Sequence, residues 1–217
     1  MLQFLEAQLK WHYVKMKRMI CYIQGTADRC LVYGGPYVAP KGLSQGEMFG
    51  YVDSLWESRR STSGFILYRN GGPIAWCSCK QKSTALSTAK AEIMAASEAT
   101  KSVMAIRLIL LDIGREIKGP TVLFEDNQAA IYVAQNEGTP ARMKHINVRE
   151  YFDRDHVLTG DVLLAKIGSV DNCVDLFTKL MLKEGFSKHR DLMVTKVPKC
   201  IRTFPGEVKS PEETASK

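Results

Sequence analysis

No apolar run in this chain approaches the ~18–20 residues that a membrane-spanning helix requires, and its opening residues lack the basic, apolar, small-residue order of a signal peptide. These absences point to a soluble protein in a reducing compartment, the cytoplasm or the nucleus. Cysteine is sparse, six residues in 217, and none of the six shows the paired CxxC spacing of a zinc site. They read as small buried hydrophobes or free thiols, not as a disulfide framework. Internal repeats and low-complexity tracts are also missing, which leaves an ordinary folded domain.

With 45% hydrophobic residues the chain can bury one good core, with room for appended segments but not for two full domains. Thirty Lys and Arg against 23 Asp and Glu leave a formal charge of +7. That balance favours contact with polyanions through phosphate neutralisation.

Apolar residues from Leu2 to Ile23 recur at broadly helical spacing, so residues 1–33 read as an amphipathic helix with a basic outer face. A Gly/Pro-rich passage, 34–48, reads as a linker. Three strand-like segments follow, Phe49 to Trp56, Thr62 to Tyr68 and Pro73 to Lys80, the last two joined by a hairpin at Asn70-Gly71-Gly72. Ser87 to Ile113 reads as a long helix, Thr121 to Phe124 as a short strand, and Asn127 as the cap of a helix through Ala134. Another helix is expected from about Lys144 to Leu158, a fifth strand from Asp161 to Ile167, and a closing helix from near Asp171 through Met181. The folded domain is thus 49–195, an α/β protein with one mixed five-stranded sheet flanked by helices. Residues 196–217, rich in Pro, Lys, Glu and Ser, read as a disordered tail.

Four of these elements each offer one acid: Asp53 in the first strand, Glu92 early in the long helix, Asp126 at a strand end, and Asp175 in the closing helix. Phosphodiester hydrolysis by two divalent ions needs several carboxylates and little else, because Mg²⁺ takes hard oxygen ligands. Asp53 stands between Val52 and Trp56, in a segment whose neighbours want burial. A buried carboxylate there calls for a cation or another partner. Taken singly, each of the four is equally a surface acid or a helix cap.

Gly50-Tyr51-Val52-Asp53, Arg59-Arg60-Ser61-Thr62-Ser63-Gly64-Phe65, Ala91-Glu92, Glu125-Asp126-Asn127-Gln128-Ala129-Ala130-Ile131, Lys144-His145-Ile146 and Val174-Asp175-Leu176-Phe177-Thr178-Lys179 together resemble copia-type LTR retrotransposon Pol polyproteins. In order and spacing they are similar to the ribonuclease H domain of that polyprotein, over about Trp11 to Met181. The resemblance implies a ribonuclease H-like fold, and that the residues before Gly34 are similar to the end of a reverse transcriptase without its polymerase active site. It also implies that Asp53, Glu92, Asp126 and Asp175 are the metal-binding acids, with Mg²⁺ as cofactor and Mn²⁺ able to substitute. The implied substrate is an RNA–DNA hybrid, with a reverse transcriptase domain as a further partner. Arg59, Arg60, Lys80 and Lys82 are candidate phosphate contacts. His145 reads as a helix-start residue, and Trp56 and Trp76 read as packing.

Some positions depart from the family pattern. Leu55 stands where a second acid is usual, Lys90 where Glu is usual, and Leu180 where Pro is usual. These departures keep a second reading open, a catalytically degenerate remnant that binds nucleic acid or a protein. A transposase or integrase of the same general fold fits less well, since its third acid would be a Glu on a late helix, where Asp175 stands here.

Overall fold

A computed structural model describes residues 10–34, 40, 42–44, 46–57, 60–135 and 148–196. The chain divides into two compact units, one of residues 1–31 with 194–217 and one of residues 32–193. In the first, helix α1 (Lys10–Gly25) is followed by strand β1 (Arg29–Cys30), which pairs antiparallel with the last strand, β7 (Thr195–Lys196). The part of the expected helix before Lys10 lies outside the described residues, and the apolar residues of α1 do not form a buried face. Trp11, Tyr13, Val14, Met16, Met19, Ile20, Tyr22 and Ile23 are all exposed. Long lysine side chains shield some of that surface, Lys15 lying over the Trp11 ring and Lys17 over Tyr13. The expected tail lies, from residue 197 on, outside the described residues.

In the second unit β2 (Phe49–Leu55), β3 (Thr62–Arg69) and β4 (Gly72–Lys80) form an antiparallel meander. The β3–β4 hairpin turns on Asn70 and Gly71, both at positive φ (50° and 78°), which is why Asn-Gly occupies it. Helix α2 (Thr88–Asp112) begins at Ser87, whose Oγ accepts from the Lys90 amide. Strand β5 (Thr121–Glu125) then runs parallel to β2, and Asn127 caps α3 (Gln128–Gln135) by accepting from the amides of Ala129 and Ala130. Helix α4 (Val148–Leu158) leads into β6 (Val162–Lys166), parallel to β5. The strand order is β4-β3-β2-β5-β6, the mixed five-stranded sheet that the sequence predicts.

Two apolar clusters fix the layers. On one face Val52, Phe65, Leu67, Leu123, Val162 and Leu164 pack against Ala95, Ala96, Ala99 and Val103 of α2 and Ile131 and Ala134 of α3. The small alanines let α2 lie close to the sheet. On the other face Phe49, Ile66 and Tyr68 pack with Cys173 and Val174.

One continuous closing helix was expected, and the chain instead breaks into a short turn at Ser169–Asp171, a single turn α5 (Asp175–Thr178) and α6 (Lys183–Met193). The cause is docking to the sheet at separate points. Asn172 Nδ2 donates to the Val52 carbonyl (2.8 Å), and Lys179 is extended (φ −119°, ψ 153°). Trp56 and Trp76 are likewise not core residues. Both are exposed, and the Trp56 indole N–H donates to the Ala85 carbonyl.

Candidate metal centre

Strand geometry brings the acids together. In the parallel β2–β5 pair Phe49 faces Val122 and Tyr51 faces Phe124, so the same register carried two residues on sets Asp53 beside Asp126. Strand β2 is clamped there by β3, where Gly64 lies opposite Asp53. A Cβ on Gly64 would come within 2.7 Å of Val174, 2.8 Å of Thr178 and 3.1 Å of Phe177. Only glycine lets α5 seat against the sheet next to Asp53.

Glu92 enters from the start of α2. Gln81, at the end of β4, fixes that turn: its amide Nε2 donates to Ser63 Oγ and to the Ala91 carbonyl, both at 2.9 Å. One oxygen each of Asp53, Glu92 and Asp126 then lie within 4.8 Å of one another. A Mg²⁺ ion with bonds of ~2.1 Å spans ligand oxygens up to about 4.2 Å apart, so small side-chain rotations would close the three onto one ion. Glu92 is 6% exposed and its Oε2 has no hydrogen-bond partner among the described residues, an expensive state for a carboxylate unless a cation is supplied. The donor set fits a hard divalent ion.

The sequence reading missed Glu125. It is fully buried, its Oε1 accepts from the Asn127 amide (3.0 Å) and its Oε2 has no partner among the described residues. Burial pushes Glu125 up to about 8 and Glu92 up to about 10, with repulsion from neighbouring acids adding to both. Strand alternation carried the signal, because Glu125 shares a face with the core residue Leu123.

Asp175 lies apart from that trio and is joined to it through a side chain the sequence reading did not single out. Lys179 Nζ contacts Asp175 Oδ1 at 2.7 Å and Asp53 Oδ1 at 3.1 Å. Thr178 Oγ1 donates to the other Asp53 oxygen. Asp53, 1% exposed, therefore has the cation and partner that its burial demanded. Burial still raises its pKa on balance, against the pull of Thr178 and Lys179. Burial works against the charge on Lys179, but the two carboxylates hold it well above the usual lysine value.

Of the candidate phosphate contacts, Arg60, Lys80 and Lys82 are exposed. Leu55 pairs with Thr62 and Thr62 with Lys80, so Lys80 is at the sheet end that bears Asp53. Its ammonium is paired with Glu57 (2.8 Å) and also donates to the Arg60 carbonyl (3.3 Å). Arg59 and His145 lie outside the described residues. Lys90 is half-buried whereas Glu92 is buried, as two positions on different helix faces should be.

Three antiparallel strands, two further parallel strands, covering helices and a carboxylate cluster at the carboxyl ends of β2 and β5 match the element order expected of a ribonuclease H-like fold. No family model matches the chain. The retrovirus-related Pol polyprotein from transposon TNT 1-94 of Nicotiana tabacum is 34% identical over 191 residues, 88% of this chain and 14% of that protein. The one from transposon RE2 of Arabidopsis thaliana is 28% identical over 198 residues, 90% of this chain and 13% of that protein. Among solved structures, LC11-RNase H1 isolated from compost is 12% identical with a TM-score of 0.45, covering 66% of this chain and 97% of that one. The chain is a homologue of the Pol polyproteins of copia-type transposons and spans only about one-seventh of their length.

Proposed function

We propose that this chain is a metal-dependent endoribonuclease that hydrolyses the RNA strand of an RNA–DNA hybrid, working beside a reverse transcriptase domain in the cytoplasm or nucleus. The observation that carries it is the trio of buried Asp53, buried Glu92 and half-buried Asp126, with an unpartnered Glu92 oxygen among the described residues, at the carboxyl end of two parallel strands. Asp53, Glu92 and Asp126 would hold one Mg²⁺ or Mn²⁺, and Asp175 would complete the site for a second. Ions bound there would supply a water of lowered pKa and neutralise charge on the departing 3′ oxygen.

The chain's own residues do the positioning. Thr178 and Asn172 hold β2 so that Asp53 points to the cluster, and Gln81 sets the angle at which Glu92 enters. Arg60, Lys80 and Lys82 offer positive charge to the sugar-phosphate backbone, which gives affinity without base specificity.

The rival reading, a binding remnant without catalysis, draws on Lys179, whose ammonium already neutralises Asp53 and Asp175. The deciding experiment is hydrolysis of a labelled RNA–DNA hybrid by the chain with Mg²⁺, beside an Asp53→Asn, Asp126→Asn double variant and an EDTA control. RNA-strand cleavage that disappears in both controls is the expected result. A hybrid that is bound but left intact in Mg²⁺ and Mn²⁺ would overturn the nuclease reading in favour of the remnant.

A further inference from the structure

We propose that Lys179 is a resident cation at the second metal position: it holds Asp175 and one oxygen of Asp53, and a second divalent ion enters only when the ammonium leaves. The inference rests on reading the acid cluster as a metal centre.

An Asp–Lys pair four residues apart is by itself an ordinary surface contact. This one differs in three respects. Lys179 lies past the end of α5, in extended backbone, so the contact is not a helix-face pair. The same ammonium reaches Asp53, 126 positions away in sequence and nearly fully buried. And the cluster divides sharply: the three acids that approach one another are Asp53, Glu92 and Asp126, while Asp175 is turned to Lys179. Asp53 belongs to both groups, so a second dication reaches its Oδ1 only in competition with the ammonium that contacts it at 3.1 Å. Like charges at such separations repel even at a surface-like dielectric, so the ammonium weakens binding of the second ion until it moves away. Lys179 is 35% exposed along its side chain and has room to swing outward. It is a positioning residue: it keeps Asp53 oriented while the first ion binds, and it sets the concentration at which the second can.

Calorimetric titration of the full chain with MnCl₂ alone, without nucleic acid, tests this. Wild type should take up one ion, with a second only at concentrations about tenfold or more above those needed by Lys179→Met, which should bind two. Lys179→Arg, retaining the charge, should behave as wild type. Two equivalent sites in wild type, no binding by either protein, or unchanged second-ion affinity in the methionine variant would overturn the proposal. Should that variant fail to fold, wild type still decides. Acetylation of Lys179, followed by mass spectrometry, should rise between the first and second equivalents of Mn²⁺, and constant reactivity would count against displacement. Because these readouts are metal binding and amine reactivity, a chain that binds as described yet cleaves no hybrid sinks only the nuclease reading. A chain that cleaves with Lys179 irrelevant to Mn²⁺ sinks only this one.

Discussion

The two faces of the sheet treat their acids in opposite ways. On the α5 side Asp53 and Asp175 are supplied with a lysine, and Asp53 also with a threonine hydroxyl. On the α2 side Glu92 and Glu125 are buried with an unpartnered oxygen each, and burial pushes both toward the neutral form. Internal neutralisation on one side and its omission on the other means that the α2 side is where an external cation gains most. A site built to bind metal must leave some carboxylate unsatisfied, and such a site is locally unstable when empty.

The largest effect expected is on catalysis. Asp53→Asn, the acid shared by both sides, should lower hybrid cleavage by ~10³-fold or more, beyond the 10–100-fold loss typical of residues that only orient a ligand. A loss confined to the smaller range, measured in single-turnover assays, would demote Asp53 to a supporting role.

Metal-linked stability should separate the sides next. Saturating Mg²⁺, at about 100 times its Kd, should add ~2.7 kcal/mol to urea-measured stability. The gain should vanish in Glu92→Gln and survive in Asp175→Asn; equal losses in both would erase the distinction between the sides. The same acids give the metal-free chain a signed pH dependence. Their folded pKa values are raised from 4.5, so the stability they contribute is full below about pH 4.5 and is lost as pH rises through about 8 for Glu125 and about 10 for Glu92. Metal-free melting temperatures that climb across that window would contradict the burial argument.

Gly64→Ala should cost ~1–3 kcal/mol through the overpacking of α5. It should perturb the Asp53–Lys179 contact while leaving the α2 core intact, which amide exchange of α2 against β2 would reveal.

The smallest effect calibrates the others with an acid outside both groups. Asp161 accepts from His156 (3.1 Å) and Thr159 (2.7 Å), with Arg107 nearby, and its pKa is lowered from 3.8, first by the His156 hydrogen bond. Its stabilisation is therefore present above that value and lost as pH falls through the folded pKa. Asp161→Asn should cost about 0.5 kcal/mol near neutrality, in line with a partly exposed ion pair, and nothing in strong acid. A penalty as large as that of Gly64→Ala would mean surface pairs matter more here than assumed.

Local chemistry made much of this legible in the sequence alone. Strand-like and helical spacing, the Asn70-Gly71 turn and the Asn127 cap marked the sheet and most of its helices within a few residues, because backbone preferences are short-ranged. Burial around Asp53 announced that it needed a partner. Resemblance to copia-type Pol polyproteins, and not spacing, singled out four acids from 23 Asp and Glu residues. What the tertiary structure alone decided was how those acids relate. It set three of them within reach of one ion, turned Asp175 to Lys179, added Glu125 and broke the closing helix so that Thr178 and Lys179 could reach a strand more than 120 residues earlier. Carboxylate pairing depends on distance and dielectric, and both are properties of the packed molecule that no local stretch of sequence contains.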